Sequence, residues 1–473
     1  MFERIKSIFA PARAKTVFKS VKARFDAAQT TKDNARHWSA ADALSADGEA
    51  SPEVRRTLRT RSRYEIANNS YARGLVQMLA NDTIGTGPRL QMLTEDEAFN
   101  DDAEAAFAKW SEAVMLPQKL RTMRIARCQD GEAFAVLDTN PGIRDPVKLG
   151  LTLIEADRVS GEPRWQESDG EVDGIRFDQW GNPESYRVLK RHPGDALAVA
   201  GDEAVIVPAG SMVHIFRRDR PGLHRGIPEL TPALDLFAQL RRYSKAVLSA
   251  AEAAADFAAV LYTDAPPDGE SEDIEALDTI PLERNMMVTM PAGWKMGQLD
   301  PKQPSSTHAE AVKCYLSEIA RCVSCTYGAV AGDFSGFNYA SGRLDNQVYH
   351  KSILVDRSCW ETEVLNRVFE AWFREWLLLR GETMADDTHT WFWDGFPHVD
   401  PVKEATAQAQ RLASCTTTLA AECARDGRDY MAVLRQRGKE LKAMRELGIP
   451  ITANGNNIPE TGKEKIGRAS CRE

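Results

Sequence analysis

Hydrophobic residues recur at helical spacing along one long stretch of the chain. Steps of three and four residues match one face of an α-helix. The series is Leu365, Phe369, Trp372, Trp376 and Leu379. No Pro or Gly interrupts the chain between this stretch and Gly381. The pattern therefore predicts a long, apolar-faced helix over 343–380, with Ser341 capping its start and Gly381 ending it.

A glycine-rich segment, 328–342, leads into this helix. Four glycines in fifteen residues leave the backbone permissive, and Phe334, Phe337 and Tyr339 stand at its tip, where a polar sequence is usual. Two interpretations stay open. The segment is either a mobile aromatic loop presented by a rigid helix or an unordered lead-in to an ordinary core helix.

Helical patterns also flank this region. Ser51 and Pro52 predict a helix start, and Gly85-Thr86-Gly87-Pro88 predicts the end of a second helix. A long helix is expected over 228–260, and small side chains in its alanine-rich second half allow close packing of helices or neighbouring subunits. Further helices are expected at 308–327 and, after an aromatic turn at 391–397, between 398 and 448.

Residues 128–220 have a different pattern, because short β-prone runs alternate there with turn signals. The predicted strands are 133–137, 149–154, 174–177, 185–189 and 212–216. The whole chain is thus predicted to be α+β and mainly helical. His214 lies in the last of these strands, where a packed histidine is favoured over a ligand.

Composition is that of a soluble globular protein, with 43% hydrophobic and 27% charged residues. The net charge of −9 gives no bulk signal for nucleic-acid binding, and no apolar run is long enough to span a bilayer. The segment 262–283 holds eight acidic residues and no Lys or Arg. It is interpreted as exposed, whereas residues 1–50 are interpreted as a mobile basic arm.

Known catalytic motifs are not found. The chain has no phosphate-binding loop of the G-x-x-x-x-G-K-[ST] type, no G-x-S-x-G and no H-E-x-x-H. Cys322 and Cys325 form a C-x-x-C without a second pair nearby, so helix packing is favoured over zinc or redox chemistry. No enzyme activity, cofactor or metal is therefore expected. A metal-dependent nuclease built from scattered acids stays open as an alternative.

A set of short motifs, in order, resembles the lambda-like family of tailed-bacteriophage portal (head–tail connector) proteins. The motifs are Arg36-His37-Trp38, Tyr64-Glu65-Ile66-Ala67-Asn68-Asn69, Gly85-Thr86-Gly87, Asp130-Gly131-Glu132-Ala133-Phe134, Ile154-Glu155-Ala156-Asp157-Arg158, Val213-His214-Ile215-Phe216, Arg225-Gly226-Ile227-Pro228, Asn338-Tyr339-Ala340-Ser341-Gly342-Arg343 and Val399-Asp400-Pro401-Val402-Lys403-Glu404. Gly342 departs from the pattern, since a small hydroxyl residue or Ala is expected before the Arg.

The resemblance implies a portal fold that assembles into a ring with DNA passing through its centre. Its regions would be assigned as follows: N-terminal arm 1–50, wing 51–225 with the β-rich part 128–220, first stem helix 226–260, acidic clip 261–305, second stem helix 306–328, tunnel loop 329–342, long wing helix and aromatic turn 343–397, crown 398–448, and a C-terminal tail 449–473 whose native origin is left open.

The resemblance also assigns roles to particular residues. The expected tunnel-loop residues are Phe334, Phe337, Asn338, Tyr339, Ser341 and Arg343. Close packing in the stem is expected at Ala250, Ala254 and Ala258. Partner docking in the clip is expected at Asp268, Glu270, Glu272 and Asp273.

The implied function is that of a portal at one capsid vertex of the virion, reached from the host cytoplasm, through which double-stranded DNA is packaged and ejected. Implied partners are further copies in a homododecameric ring, the terminase, the major capsid protein and the head-completion or tail-joining proteins, with no membrane. A nuclease of the packaging machinery and a head–tail adaptor remain as alternatives. A closed ring without nuclease or ATPase activity would distinguish a portal from the former.

Overall fold

The computed structural model of the chain describes residues 32, 35–161, 170–195, 203–256, 260–263, 294–297, 307–336, 339–383, 386–396 and 401–449. Helices dominate this part of the chain, and four small antiparallel sheets lie between them. The predicted α+β, mainly helical fold class is confirmed. Within these ranges, no helix combines the length and apolar character that crossing a bilayer requires.

Helices occur on both sides of the β-rich part. Those before it are α1 (Ala46–Glu49), α2 (Pro52–Asn68), α3 (Ser70–Ile84), α4 (Glu97–Ala113) and α5 (Leu116–Asp130). Those after it are α6 (Leu234–Asp256), α7 (His308–Cys322), α8 (Tyr327–Ala331), α9 (Tyr339–Trp360), α10 (Asn366–Arg380), α11 (Pro401–Ala413), α12 (Leu419–Arg425) and α13 (Tyr430–Glu446).

Strands form four separate sheets. Their bounds are β1 (Arg89–Met92), β2 (Glu132–Thr139), β3 (Leu149–Ile154), β4 (Glu171–Val172), β5 (Ile175–Phe177), β6 (Pro183–Leu189), β7 (Ala204–Pro208), β8 (Met212–Phe216), β9 (Val260–Thr263), β10 (Trp294–Gly297) and β11 (His389–Phe392). The sheet orders are β3-β2-β8, β4-β5-β6-β7, β9-β10 and β1-β11. The β-rich region predicted at 128–220 therefore consists of two sheets, and β7 is a strand that the sequence pattern did not predict.

Helix ends follow the predicted chemistry at two places. The Ser51 hydroxyl accepts a hydrogen bond from the Val54 amide with Pro52 in the first turn. Gly381 ends α10 with a left-handed backbone at φ +78°. Between α9 and α10 the chain stays helical through a single π-helical turn, Glu361–Leu365, so the long helix predicted over 343–380 is confirmed.

Three local predictions need correction. The glycine-rich segment is not one loop, since α8 occupies Tyr327–Ala331 and α9 already begins at Tyr339. Ser341 therefore lies inside a helix and does not cap it. The first two residues of the predicted aromatic turn, Trp391 and Phe392, belong to a strand, β11, which pairs antiparallel with the remote strand β1. A local pattern could not reveal that partner.

The helix predicted over 308–327 is interrupted. Its regular part ends at Cys322, and Ser324 has a positive φ of 55° before α8 begins. The helix predicted over 228–260 begins later, with a 3-10 turn at Thr231–Ala233 followed by α6.

Aromatic side chains of α10 form the centre of the larger core. Trp372 meets Phe107 of α4 edge to face at 5.0 Å between ring centroids, and Phe107 also contacts Trp391 of β11. The Trp110 indole donates a hydrogen bond of 3.0 Å to the Leu149 carbonyl. Edge-to-face pairs of this kind add stabilisation to the burial of large apolar area. The predicted apolar face of the long helix is thus a core face from Leu365 to Trp376, whereas its last member, Leu379, is exposed.

Candidate functional site

The tip of the predicted tunnel loop lies on the protein surface. Gly332 ends α8 in a left-handed conformation at φ +66°, and Phe334 follows with 60% of its surface exposed. Arg343 is exposed in the first turns of α9. Tyr339 and Ser341 lie in that helix, but their side chains fall outside the described residues, as do Phe337 and Asn338 altogether.

Hydrogen bonds shape the described part of this loop. The Asp333 carboxylate accepts from the Ser335 hydroxyl at 2.7 Å and from the Ser335 amide at 3.0 Å. These bonds lower the pKa of Asp333, so the carboxylate remains charged at neutral pH. An aspartate that accepts from the backbone two residues ahead closes a local turn, and this turn projects Phe334 away from the core.

The segment before the loop is packed against the body of the protein. Thr326 caps α8 by accepting from the Ala329 amide at 3.3 Å, and Val330 is buried in a second hydrophobic core with Ile319 of α7 and Ile353 of α9. Buried apolar contacts on α7, α8 and α9 therefore fix both approaches to the loop.

Polar contacts anchor α9 to the C-terminal end of α3. The Tyr349 hydroxyl donates to Asp82 at 2.6 Å, and burial together with this carboxylate raises the pKa of Tyr349. The Arg357 guanidinium donates to the carbonyls of Asp82 and Thr83 at 2.8 and 3.0 Å. The last carbonyls of a helix have no partner within it, and a cation there also interacts favourably with the helix dipole.

A buried cluster of two arginines and two carboxylates, here called the stem joint, connects three elements. Glu229 precedes α6, Arg124 and Arg127 belong to α5, and Asp356 belongs to α9. Glu229 binds Arg124 at 3.1 Å and Arg127 at 2.8 Å. Asp356 binds Arg127 at 2.6 Å and Arg124 at 3.0 Å. Each cation thus has two anionic partners, which fixes α6 relative to α9.

Electrostatics keep the stem joint ionised. Burial opposes the charge on Glu229, but Arg124 and Arg127 outweigh it and lower the pKa of this carboxyl to about 2. The same carboxylates raise the pKa of Arg124 against the effect of its burial. A carboxylate that stays charged at neutral pH and is saturated with donors has no proton to exchange. The joint can therefore hold helices in place.

A second network surrounds Glu132 at the start of β2. This fully buried carboxylate accepts hydrogen bonds from Arg59, from Arg225 at 2.7 Å, from the Gly226 amide at 3.1 Å and from His214 at 3.1 Å. Burial works against its charge, but Arg225 and Arg59 keep the pKa of Glu132 well below its usual range. Since an ionised carboxylate only accepts, His214 contributes its Nε2–H.

Two of the motifs that suggested the family meet at this network. A methyl group added to Gly226 would overlap the carbonyl of Gly131, and one added to Gly131 would overlap the Ile227 backbone. Gly131 also needs a positive φ of 93°, which favours glycine. The motifs around residues 131 and 226 therefore form one backbone-to-backbone contact, and His214 is a packed side chain, as predicted.

The sequence pattern did not predict the arginines of this network. Arg55, Arg59 and Arg63 of α2 face the body of the protein and pair with Asp173, Glu132 and Asp130. A signal existed, because a spacing of four residues places all three on one face of a helix. Their carboxylate partners lie 67 to 118 residues away, which no local pattern reveals.

Most of the predicted stem and clip residues lie outside the described part of the chain. Ala250 is exposed on α6, and the side chain of Ala254 on the same helix is outside the described residues. Also outside them lie Ala258, Asp268, Glu270, Glu272 and Asp273. Within the described ranges, no group of three or more His, Cys, Asp or Glu side chains is placed to hold a metal ion.

Comparison with known proteins gives the following matches. The family model described as phage portal protein, lambda family, matches residues 31–357. A probable portal protein of Halomonas phage phiHAP-1 is 27% identical over 450 residues, covering 86% of this chain and 85% of the relative. A solved structure of the virion of a native gene transfer agent particle aligns at 14% identity with a TM-score of 0.45, covering 78% of this chain and 93% of its own. A structure of the neck of a native gene transfer agent particle computed with C12 symmetry aligns at 15% identity with a TM-score of 0.43, covering 80% of this chain and 94% of its own.

Proposed function

Since this chain belongs to the lambda family of phage portal proteins, we propose that copies of it form a closed ring, expected to be dodecameric, at one capsid vertex. Double-stranded DNA passes through the centre during packaging and ejection. The terminase, the major capsid protein and head-completion or tail-joining proteins dock onto this ring. The role is one of structure and conduction, and it includes no enzymatic step.

The exposed loop tip carries this proposal. Phe334 is a large apolar side chain at the tip of a turn, although its two approaches are tied down by buried contacts on α7, α8 and α9. An exposed aromatic ring on a loop whose approaches are fixed suits a surface that meets another molecule. Twelve such tips around an axis would give DNA an aromatic collar, and aromatic faces contact nucleic acid without sequence preference.

The second half of α6 supports the placement of the stem. Leu248 is 59% exposed, and Ser249 and Ala250 beside it are exposed small residues. Exposed apolar and small residues on a helix suit packing against a partner, because small side chains let neighbouring helices approach closely. In the proposed ring, α6 and α7 of adjacent copies pack side by side, while the stem joint sets their direction.

The acidic segment 262–283 is proposed as the docking surface for the packaging motor. Its eight carboxylates would attract a basic partner surface and raise the rate of association. The same acidity would keep the segment from holding DNA, since phosphate binding needs Lys and Arg.

The mass of the assembled particle tests the ring, and the DNA length retained per particle tests the loop. Deleting Ser335–Asn338 should leave folding and ring mass unchanged, because a loop tip contributes little to a core. It should shorten or destabilise the retained DNA. Phe334→Ala should have a weaker effect in the same direction.

Trp180→Ala is the matched control, since Trp180 is also an exposed aromatic at a turn, 79% exposed, in the β-rich region. It should leave DNA retention unchanged. Full-length, stable DNA in the deletion variant would rule out the tunnel-loop role while leaving the ring intact. A monomeric wild-type protein would contradict the ring itself.

A further inference from the structure

The last described helix, α13, presents an unpaired basic face. Lys439, Lys442 and Arg445 are exposed on it, and within the described part of the chain none of them has a carboxylate partner. Steps of three residues place them on neighbouring positions of one side of the helix. Three cations therefore lie together within about 9 Å of helix length, at 1.5 Å per residue.

The arginines of the two preceding helices contrast with this face. Arg411 of α11 binds Glu404 and Glu422 at 2.7 and 2.9 Å, and Arg425 of α12 binds Glu422 at 3.4 Å. The hydrogen bonds of Arg411 hold the pKa of Glu422 at about 2, so these pairs are ionised. Helix α13 holds five Lys or Arg against two Glu, so the uncompensated positive charge of residues 401–449 is concentrated there.

Contacts at the N-terminal end of α13 fix how it is presented. Asp429 caps its start, accepting from the Met431 and Ala432 amides at 2.9 Å each. Arg435 binds Asp101 of α4 at 2.7 Å, and Gln91 of β1 donates to Asp429 at 3.4 Å. The N-terminal half of α13 is thus attached to the body, while the end that carries the three cations extends into solvent.

We propose that this face binds the backbone phosphates of double-stranded DNA, without sequence preference. B-DNA carries one negative charge per about 1.7 Å of its axis when both strands are counted, so a 9 Å length of duplex carries about five phosphates for this row of cations to approach. Long Lys and Arg side chains on an exposed helix can follow such a charged rod without reading bases. The identity of the partner rests on the proposed function, but the interaction needs neither a ring nor a capsid.

The favourable position of cations at a helix C-terminus is the competing explanation. Lys442 and Arg445 lie in the last two turns of α13, where they interact with the helix dipole. That role predicts a loss of helix stability on neutralisation and no change in DNA affinity. It does not involve Lys439, which lies farther from the end.

The test measures binding of the full chain to a 30-base-pair duplex of arbitrary sequence by fluorescence anisotropy, between 50 and 200 mM salt. The triple variant Lys439→Gln, Lys442→Gln, Arg445→Gln should bind about tenfold or more weakly at 100 mM salt. Its plot of log affinity against log salt should be shallower by up to about 2.7, since each phosphate contact contributes about 0.9.

A control variant removes the same charge elsewhere. Arg56, Arg61 and Arg73 are exposed on α2 and α3, and their replacement by Gln should leave affinity and slope unchanged. Equal losses in both variants would show a bulk charge effect and overturn the proposal. So would wild-type affinity in the α13 variant, or no DNA binding by the wild type. Particle mass, recorded for every variant, separates these outcomes from a failure of ring formation.

Discussion

At the scale of single residues, Glu132 shows how a buried charge is tolerated. Removing one partner from a buried ion pair leaves an uncompensated charge and costs about 3–5 kcal/mol. In the intact protein the charge of Glu132 is compensated, because two arginines, a histidine and a backbone amide donate hydrogen bonds to its carboxylate. The sequence allowed His214 to be predicted as packed, because it lies in a β-prone run. It did not allow the carboxylate to be recognised, because donors such as Arg225 come from distant segments.

Protonation of His214 should destabilise the fold. Burial lowers the pKa of His214 to about 4, against about 6.5 in an unfolded chain. Its contribution to stability is therefore complete above about pH 6.5 and is lost as the pH falls towards 4, by up to about 3 kcal/mol. The free energy of unfolding, measured in urea over that pH window, should fall more steeply with decreasing pH in the wild type than in His214→Gln. His37→Gln, at an exposed position, should keep the pH dependence of the wild-type free energy of unfolding. If His214→Gln kept it too, His214 would not be its cause.

Gly226→Ala should destabilise the protein, because the new methyl group would overlap the Gly131 carbonyl. Forcing the two backbones apart is expected to cost about 1–3 kcal/mol, measured as the free energy of unfolding. Gly74→Ala is the control, since no atom lies within 4 Å of the added carbon and the site is inside α3. That change should stabilise the helix by about 1 kcal/mol. A neutral Gly226→Ala would mean that the contact is loose.

At the scale of elements, periodicity predicted those whose evidence is local. The long helix over 343–380 was visible because one apolar face runs along its second half and a glycine ends it. The π turn at Glu361–Leu365 could not be predicted, since one extra residue in a turn hardly disturbs a helical pattern. Strand β11 was missed for a different reason. Its aromatic residues suit a turn or a strand equally, and only pairing with β1 decides between them.

The stem joint makes its own prediction at this scale. Glu229→Gln removes a charge from between Arg124 and Arg127, so the free energy of unfolding should fall by about 3–5 kcal/mol. Because the pKa of Glu229 is about 2 in the folded protein, its contribution to stability is complete above about pH 4.5 and is lost as the pH falls towards 2. Exposed Glu252 on α6 provides the control Glu252→Gln, which should change stability by less than about 0.5 kcal/mol. Equal stability of the two variants would show that the joint is not needed.

At the scale of the whole molecule, family and fold class could be predicted from ordered short motifs and composition, and both are confirmed. The motifs are informative because several are contact points, as residues 131 and 226 show. The boundaries of wing, stem, clip and crown stay predictions, as do the tunnel-loop, stem and clip residues. They depend on contacts between copies, which one chain's sequence does not specify.

Assembly gives the prediction at this scale. Ala254 lies on α6, where a neighbouring copy is proposed to pack closely. Ala254→Leu should overpack that contact by about 1–3 kcal/mol in each interface and reduce the fraction of protein found as rings by native mass measurement. Ser244→Leu, at an exposed site in the middle of the same helix, adds a comparable side chain as a control. Normal rings from the Ala254 variant would contradict this placement.

The pairing of β1 with β11 has a consequence for how the chain matures. Leu90 faces Trp391 across this sheet, so the two partners leave the ribosome about three hundred residues apart. Contacts of such long sequence separation form slowly, and transiently uncovered apolar surface favours aggregation. A nascent chain that ends before His389 has no strand with which to cover Leu90 and Phe107. Incomplete copies should therefore be prone to aggregate until synthesis has passed β11, and correct association of subunits should follow only after that point.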